Sequence, residues 1–104
     1  HIPCVSLSRI SLLGLDEVEY VYTDLSGVHV VCDKRQGITE LTLKILQDRT
    51  PLLRCHRQYL VNIDQITEIE MLDNGSAEIV TRSARRVPVS RRYLRELKDR
   101  LLLG

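Results

Sequence analysis

Two short segments of this 104-residue chain hold the side chains best suited to chemistry: Arg54-Cys-His-Arg-Gln-Tyr-Leu-Val-Asn62 and Val87-Pro-Val-Ser-Arg-Arg-Tyr-Leu94. Each sets guanidinium, hydroxyl and amide groups in a turn flanked by apolar residues. A guanidinium presents a planar fork of donors that fits a phosphate or a base edge, and amides and hydroxyls add short-range partners. Contact with nucleic acid is the chemistry such a mixture favours.

Other chemistries fare worse. Cys55 and His56 are adjacent, but in an extended segment neighbouring side chains point to opposite faces and cannot form a thiol–imidazole pair. Cys55 therefore reads as a small core residue, and His56 as either a satisfied structural histidine or a contact residue. Cys4, Cys32, Cys55, His29 and His56 show no Cys-x-x-Cys or His-x-x-x-His spacing, so no metal site is expected. Gly14, Gly27, Gly37, Gly75 and Gly104 are scattered as turn residues, not gathered in a phosphate loop. No catalytic group and no cofactor is expected.

The elements that position the two segments follow from length and pattern. A chain of 104 residues with 43% hydrophobic content suits one compact domain, spanning 1–104. It starts at His1 and not Met, which leads us to expect a domain excised from a longer protein, with an N-terminal module missing. Three cysteines without regular spacing and the absence of a signal peptide fit a reducing, cytoplasmic setting. No apolar run approaches the ~20 residues of a membrane span.

Charge is uneven. Positions 82–104 carry eight basic and two acidic residues, +6, whereas the remainder carries seven and twelve, −5. Such polarity fits an anion-seeking end or simply a solvated basic face. Twelve of the fifteen basic residues are arginine, which suits bidentate recognition; a coding bias toward arginine would give the same count.

Strand signals dominate. Ile2–Leu7 and Arg9–Leu13 are short apolar segments, and Val18–Tyr22 and Val28–Cys32 read as strands joined by the turn Thr23–Gly27. Ile66–Met71 and Ala77–Arg82 alternate around Asn74-Gly75, a strong hairpin signal because both residues tolerate positive φ. Arg86–Val89 adds a short strand after a turn at Ser83–Arg85. Residues Thr42–Asp48 satisfy period 2 and period 3.6 alike, and we read them as a helix closed by Pro51. A second helix runs from the N-cap Ser90, with Leu94, Leu97 and Leu101 along one face.

On that second helix Arg92, Glu96 and Arg100 stand four apart, as do Arg95 and Asp99, so these charges are expected to pair. The cations then left free are Arg82, Arg85, Arg86 and Arg91. Arg91 falls in the first turn, where the helix dipole disfavours a cation, and a residue placed against its local preference is a candidate for function. The helix N-terminus beneath it would also welcome a phosphate.

The kind of nucleic acid can be narrowed. RNA-binding sheets stack bases on exposed aromatics, but only Tyr20, Tyr22, Tyr59 and Tyr93 are present, and Tyr20 and Tyr22 are expected in core or rim packing. A helix-turn-helix lacks a partner helix just before the terminal one. A sheet-rich domain that reads duplex DNA through loops and turns fits better.

Arg54–Asn62, Ile66–Glu70, the Asn74-Gly75 hairpin and Val87–Tyr93 together resemble the LytTR DNA-binding domain, the effector module of a class of bacterial response regulators. The resemblance is strong over Thr42–Leu101 and looser before it. It implies a mainly β fold of small packed antiparallel sheets with two short helices, which inserts loop residues into successive grooves of DNA. Carried onto this chain, it implies base contacts from the turn Thr23–His29 (Ser26, Gly27 or His29), from Arg57 and from Arg91. It places Arg54, Gln58, Ser90 and Arg92 at the DNA backbone. The basic cluster Arg82, Arg85 and Arg86 would position the domain there too. It also implies a fused receiver domain, paired direct repeats in the operator and dimerisation on DNA. The alternative from another class is a protein-interaction or oligomerisation module whose basic end docks an acidic partner.

Overall fold

Alternating apolar residues and tight turns give this chain ten strands and two helices; the computed structural model describes residues 1–103. In order they are β1 (Ile2–Val5), β2 (Ile10–Leu13), β3 (Val18–Asp24), β4 (Gly27–Cys32), β5 (Gln36–Thr39), α1 (Leu43–Arg49), β6 (Leu53–His56), β7 (Tyr59–Val61), β8 (Ile66–Met71), β9 (Ala77–Thr81), β10 (Arg86–Val89) and α2 (Arg91–Leu103). A single 3-10 turn, Ile63–Gln65, separates β7 from β8. Two antiparallel sheets result, one in the order β2-β1-β5-β4-β3-β7-β6 and one in the order β10-β9-β8. The mainly β expectation with two short helices holds. One sheet is larger than expected because the short strands β5, β6 and β7 join it.

Local chemistry explains the boundaries. Thr42 caps α1 by accepting the Ile45 N–H at 3.1 Å, and Thr50 ends the helix just before Pro51. That cap settles the ambiguous segment as helix. Between β8 and β9, Asn74 Oδ1 accepts the Ser76 N–H at 3.0 Å while Gly75 takes φ +86°, a conformation that glycine enters without a Cβ penalty. Ser90 stands before α2 and its carbonyl accepts the Tyr93 N–H.

The larger sheet carries a core on each face, the second one confined to its β3-β7-β6 end. On one side Val21, Val30 and Leu60 pack with Leu46 of α1. On the other, Leu53, Cys55 and Val61 pack with Ile79, Val87 and Leu97, which brings in the smaller sheet and α2. Leu60 and Val61 thus serve opposite cores, as strand alternation requires.

One polar residue ties the two sheets together. The β3–β4 register shifts between Val18 and Tyr20, so Glu19 is the extra residue of a β-bulge. Val18 faces the first core, whereas Glu19 turns toward the smaller sheet and is 1% exposed. Its Oε1 accepts the hydroxyls of Thr81 at 2.8 Å and Ser83 at 2.6 Å, and its Oε2 accepts the Ser83 N–H at 3.1 Å. Arg85 Nη1 lies 3.4 Å from Oε1. Burial pushes the Glu19 carboxyl up, but the bonds from Ser83 and Thr81 and the charge of Arg85 outweigh it, and the net shift is downward. A carboxyl lowered in the folded state stabilises the fold above its unfolded value, and that contribution is lost as pH falls through the folded value. Glu19→Ala should therefore cost about 2–3 kcal/mol in urea unfolding at pH 7 by orphaning these donors. The gap to the wild type should narrow once the pH drops below the ordinary glutamate range; a gap that stays constant into acid would contradict the role given to the charge.

Candidate nucleic-acid interface

Each sheet has two distinct ends, and the predicted site residues divide between them. In the larger sheet β3 pairs with β4 down to Asp24 opposite Gly27, leaving a two-residue tip, Leu25–Ser26. His56 pairs with Tyr59, leaving Arg57–Gln58 as the tip of the β6–β7 hairpin. The Thr23 N–H donates to the Gln58 carbonyl at 3.0 Å, so the two tips are adjacent. In the smaller sheet Val89 pairs with Ala77, which sets Ser90 and Arg91 beside the 72–76 loop. The Ser90 N–H donates to the Cys55 carbonyl at 3.0 Å, joining this end to the base of the Arg57–Gln58 tip. The tips carrying Ser26, Arg57–Gln58 and Arg91 therefore converge on one end of the molecule.

Each tip is held by its own chemistry. Asp24 Oδ1 accepts the Ser26 N–H at 2.8 Å and the Ser26 hydroxyl at 2.6 Å, and His29 Nε2 lies 2.9 Å from the same oxygen. Ser26 Oγ is also 2.8 Å from His29 Nε2. These bonds, Ser26 foremost, hold the Asp24 carboxyl down at about 2. Both Asp24 and Ser26 meet the same ring nitrogen, whereas a catalytic relay needs the acid on one nitrogen and the hydroxyl on the other. The trio is a turn lock. His56 Nδ1 accepts the Gln58 N–H at 3.0 Å, so this histidine shapes the Arg57–Gln58 tip, and burial followed by the Arg57 charge lowers its pKa. At the third tip a Cβ on Gly75 would lie 3.1 Å from Arg91 Cδ, so the Arg91 chain rests across the glycine.

Behind the tips runs a row of rings. Tyr22 stacks on His29 with centroids 4.6 Å apart and lies 5.7 Å from Tyr59, which His56 meets edge-on at 5.4 Å. Tyr20 is 6.1 Å from Tyr22. These half-buried rings are committed to one another and form a scaffold, not an open platform for bases. Arg57, Gln58, Arg91 and Arg92 are exposed, and Arg92 sits 5.3 Å from the Tyr93 ring centroid. Arg54 lies within β6 opposite Leu60, with a buried Nε that has no hydrogen-bond partner among the described residues. Asn62, the last residue of the first segment, is structural: its side-chain amide donates to the Leu15 and Val18 carbonyls.

Two expectations about charge need correction. Arg85 and Arg86 are not free cations. Arg85 donates to the Cys32 and Asp33 carbonyls at 2.9 Å each, besides its contact with Glu19, and Arg86 bridges Glu70 at 3.0 Å and Glu78 at 3.1 Å. Arg82 donates to the Asp64 carbonyl. All three occupy the end opposite the tips, because Arg86 pairs with Val80 and Cys32 closes β4. Conversely, none of the pairs expected within α2 closes to 4 Å among the described residues. Exposed i,i+4 pairs gain too little to hold long side chains in one geometry. Arg92 and Arg95 therefore keep their charge toward solvent. The three cysteines are buried, and burial pushes the Cys32 and Cys55 thiols up to about 12.

The profile of the LytTr DNA-binding domain matches residues 8–102. The chain belongs to the LytTR family of DNA-binding domains. A response regulatory protein of Yersinia pestis is 55% identical over 101 residues, covering 97% of this chain and 42% of that protein. The transcriptional regulatory protein BtsR of Escherichia coli is 54% identical over 99 residues, 94% of this chain and 41% of that one. This LytTR chain thus spans about two fifths of the length of those relatives. Its fold matches the LytTr domain of a Bacillus cereus response regulator with a TM-score of 0.87 at 21% identity, over 97% of this chain and 94% of that one. No helix among the described residues is long and apolar enough to cross a membrane.

The turn lock is open to direct measurement. Carboxyl titration by NMR should find Asp24 at about 2, and Ser26→Ala should return it toward the ordinary aspartate range. An Asp24 titration unchanged by that substitution would separate the two residues.

Proposed function

We propose that this LytTR domain recognises specific duplex DNA sequences through the three converging tips, as the output domain of a transcriptional response regulator acting in the cytoplasm. The observation that carries the reading is the pair of backbone hydrogen bonds, Thr23 to Gln58 and Ser90 to Cys55, that bring three turns from two sheets to one end. Tips spaced along one end suit successive grooves of a duplex better than one recognition helix does. Arg91 is the bidentate reader of a guanine in the major groove. Arg57 contacts a base in a narrow minor groove or grips a phosphate. Ser26 and His29 present the first tip to the bases. Arg54, Gln58, Ser90 and Arg92 serve the sugar–phosphate backbone, with Ser90 at the helix N-terminus where a phosphate is favoured.

Arg82, Arg85 and Arg86 leave this interface; their partners and their place at the opposite end support a structural role. The greater length of the relatives supports a fused receiver domain, and binding to paired direct repeats with dimerisation on DNA belongs to the same proposal.

Arg91→Ala should cost about 1–3 kcal/mol on a cognate duplex and relax preference at one base pair. Equal weakening on all sequences would make Arg91 a phosphate contact instead. Arg57→Ala should lower the slope of log affinity against log salt by about 1 if it neutralises a phosphate. The same substitution at Arg86 should leave that slope unchanged. A module that docks an acidic protein would enrich no duplex from a random pool and would bind DNA only at low salt.

A further inference from the structure

The first tip carries a side chain that its own chemistry does not explain. Leu25 is fully exposed at the apex of the β3–β4 turn. Turn apices favour residues that hydrogen-bond locally or relax the backbone, and leucine does neither. A lone exposed leucine is ordinary on a protein surface; its pedestal is what distinguishes this one. Asp24 takes up the hydroxyl and the N–H of Ser26, His29 closes on both, and Thr23 Oγ1 donates to the Gly27 carbonyl at 3.3 Å. The Ser26 hydroxyl and N–H, Asp24 Oδ1 and His29 Nε2 are thus engaged with one another within the tip. Leu25 stands beyond them, with backbone φ outside the left-handed region. The neighbouring Arg57–Gln58 tip is fixed to the same turn through Thr23. A rigid turn holding an apolar side chain loses little conformational freedom on binding.

Apolar side chains find one specific partner on a duplex, the C5-methyl group of thymine in the major groove. We propose that Leu25 is a specificity-determining residue of the first tip, selecting a thymine by contact with its methyl group, while Asp24, Ser26 and His29 hold the turn that presents it. This rests on the duplex-reading function proposed above.

Replacing thymine by deoxyuridine removes that methyl group and leaves the pairing edge intact, which gives a direct test. A duplex enriched from a random pool by the wild-type chain is resynthesised with each thymine in turn changed to deoxyuridine. At one position the wild type should bind about fourfold more weakly, the equivalent of one methyl group returned to water. Leu25→Ala should bind the thymine and deoxyuridine duplexes equally at that position. Leu7→Ala, at an equally exposed leucine in another hairpin, should keep the wild-type response. Thermal unfolding should show both variants folded, since neither side chain is buried. If no thymine shows a methyl dependence that disappears with Leu25→Ala, the proposal is overturned while duplex reading stands. If the wild type enriches no duplex at all, the functional reading fails and the proposal falls with it.

Discussion

The buried carboxylate of Glu19 governs the rest of the architecture. Two sheets packed through apolar side chains could slide or rotate at modest cost, because hydrophobic contact is non-directional. Directional bonds restrict that freedom. A bulge in β3 turns Glu19 out of strand alternation, and its two oxygens gather Thr81, Ser83 and Arg85 from the β9–β10 turn. Arg85 continues the link to the Cys32 and Asp33 carbonyls. The same network supports Ala84 at φ +67°, a conformation that a non-glycine residue adopts at a cost.

The Glu19 network and the interface tips sit at opposite ends of the same strands. Fixing β9 at Thr81 fixes where β10 delivers Ser90 and Arg91, and the Ser90 to Cys55 bond then sets that tip against Arg57 and Gln58. Net charge alone obscures this division. The basic C-terminal stretch divides into arginines engaged by partners within the protein, Arg82, Arg85 and Arg86, and arginines that face solvent, Arg91 and Arg92 at the tips among them. Within the first kind Arg85 meets Glu19 and Arg86 meets Glu70 and Glu78; Arg91 and Arg92 are available to phosphates and base edges.

Much of the fold was legible because its signals are local. Asn74-Gly75, the alternation of β8 and β9, and the Leu94–Leu97–Leu101 stripe each declare themselves within one element. β5, β6 and β7 did not: Gln36-Gly-Ile-Thr39 and Leu53-Arg-Cys-His56 mix polar residues with few apolar ones, and Tyr59-Leu-Val61 is too short for alternation to register. The partners of Arg85 and Arg86 were hidden because they come from elsewhere in the chain: Glu19 is 66 residues from Arg85, and Glu70 is 16 from Arg86. The pairs expected along α2 were local but exposed, where the gain is small. One signal was readable: an acid inside the apolar run Val18-Glu-Tyr-Val21 asks for a buried partner. Leu25 was visible too, as an apolar residue in a turn, but only the structure shows Asp24, Ser26 and His29 around it bonded to one another.

On this reading the chain meets DNA with the tip end and not with its more conspicuous arginine cluster. Amide chemical-shift mapping of the labelled chain with an enriched duplex tests this most directly. Shifts should concentrate at 24–29, 56–58, 74–75 and 90–92, with residues 32–35, 64–65 and 82–86 left in place. Shifts concentrated at 82–86 and sparse at the tips would contradict it.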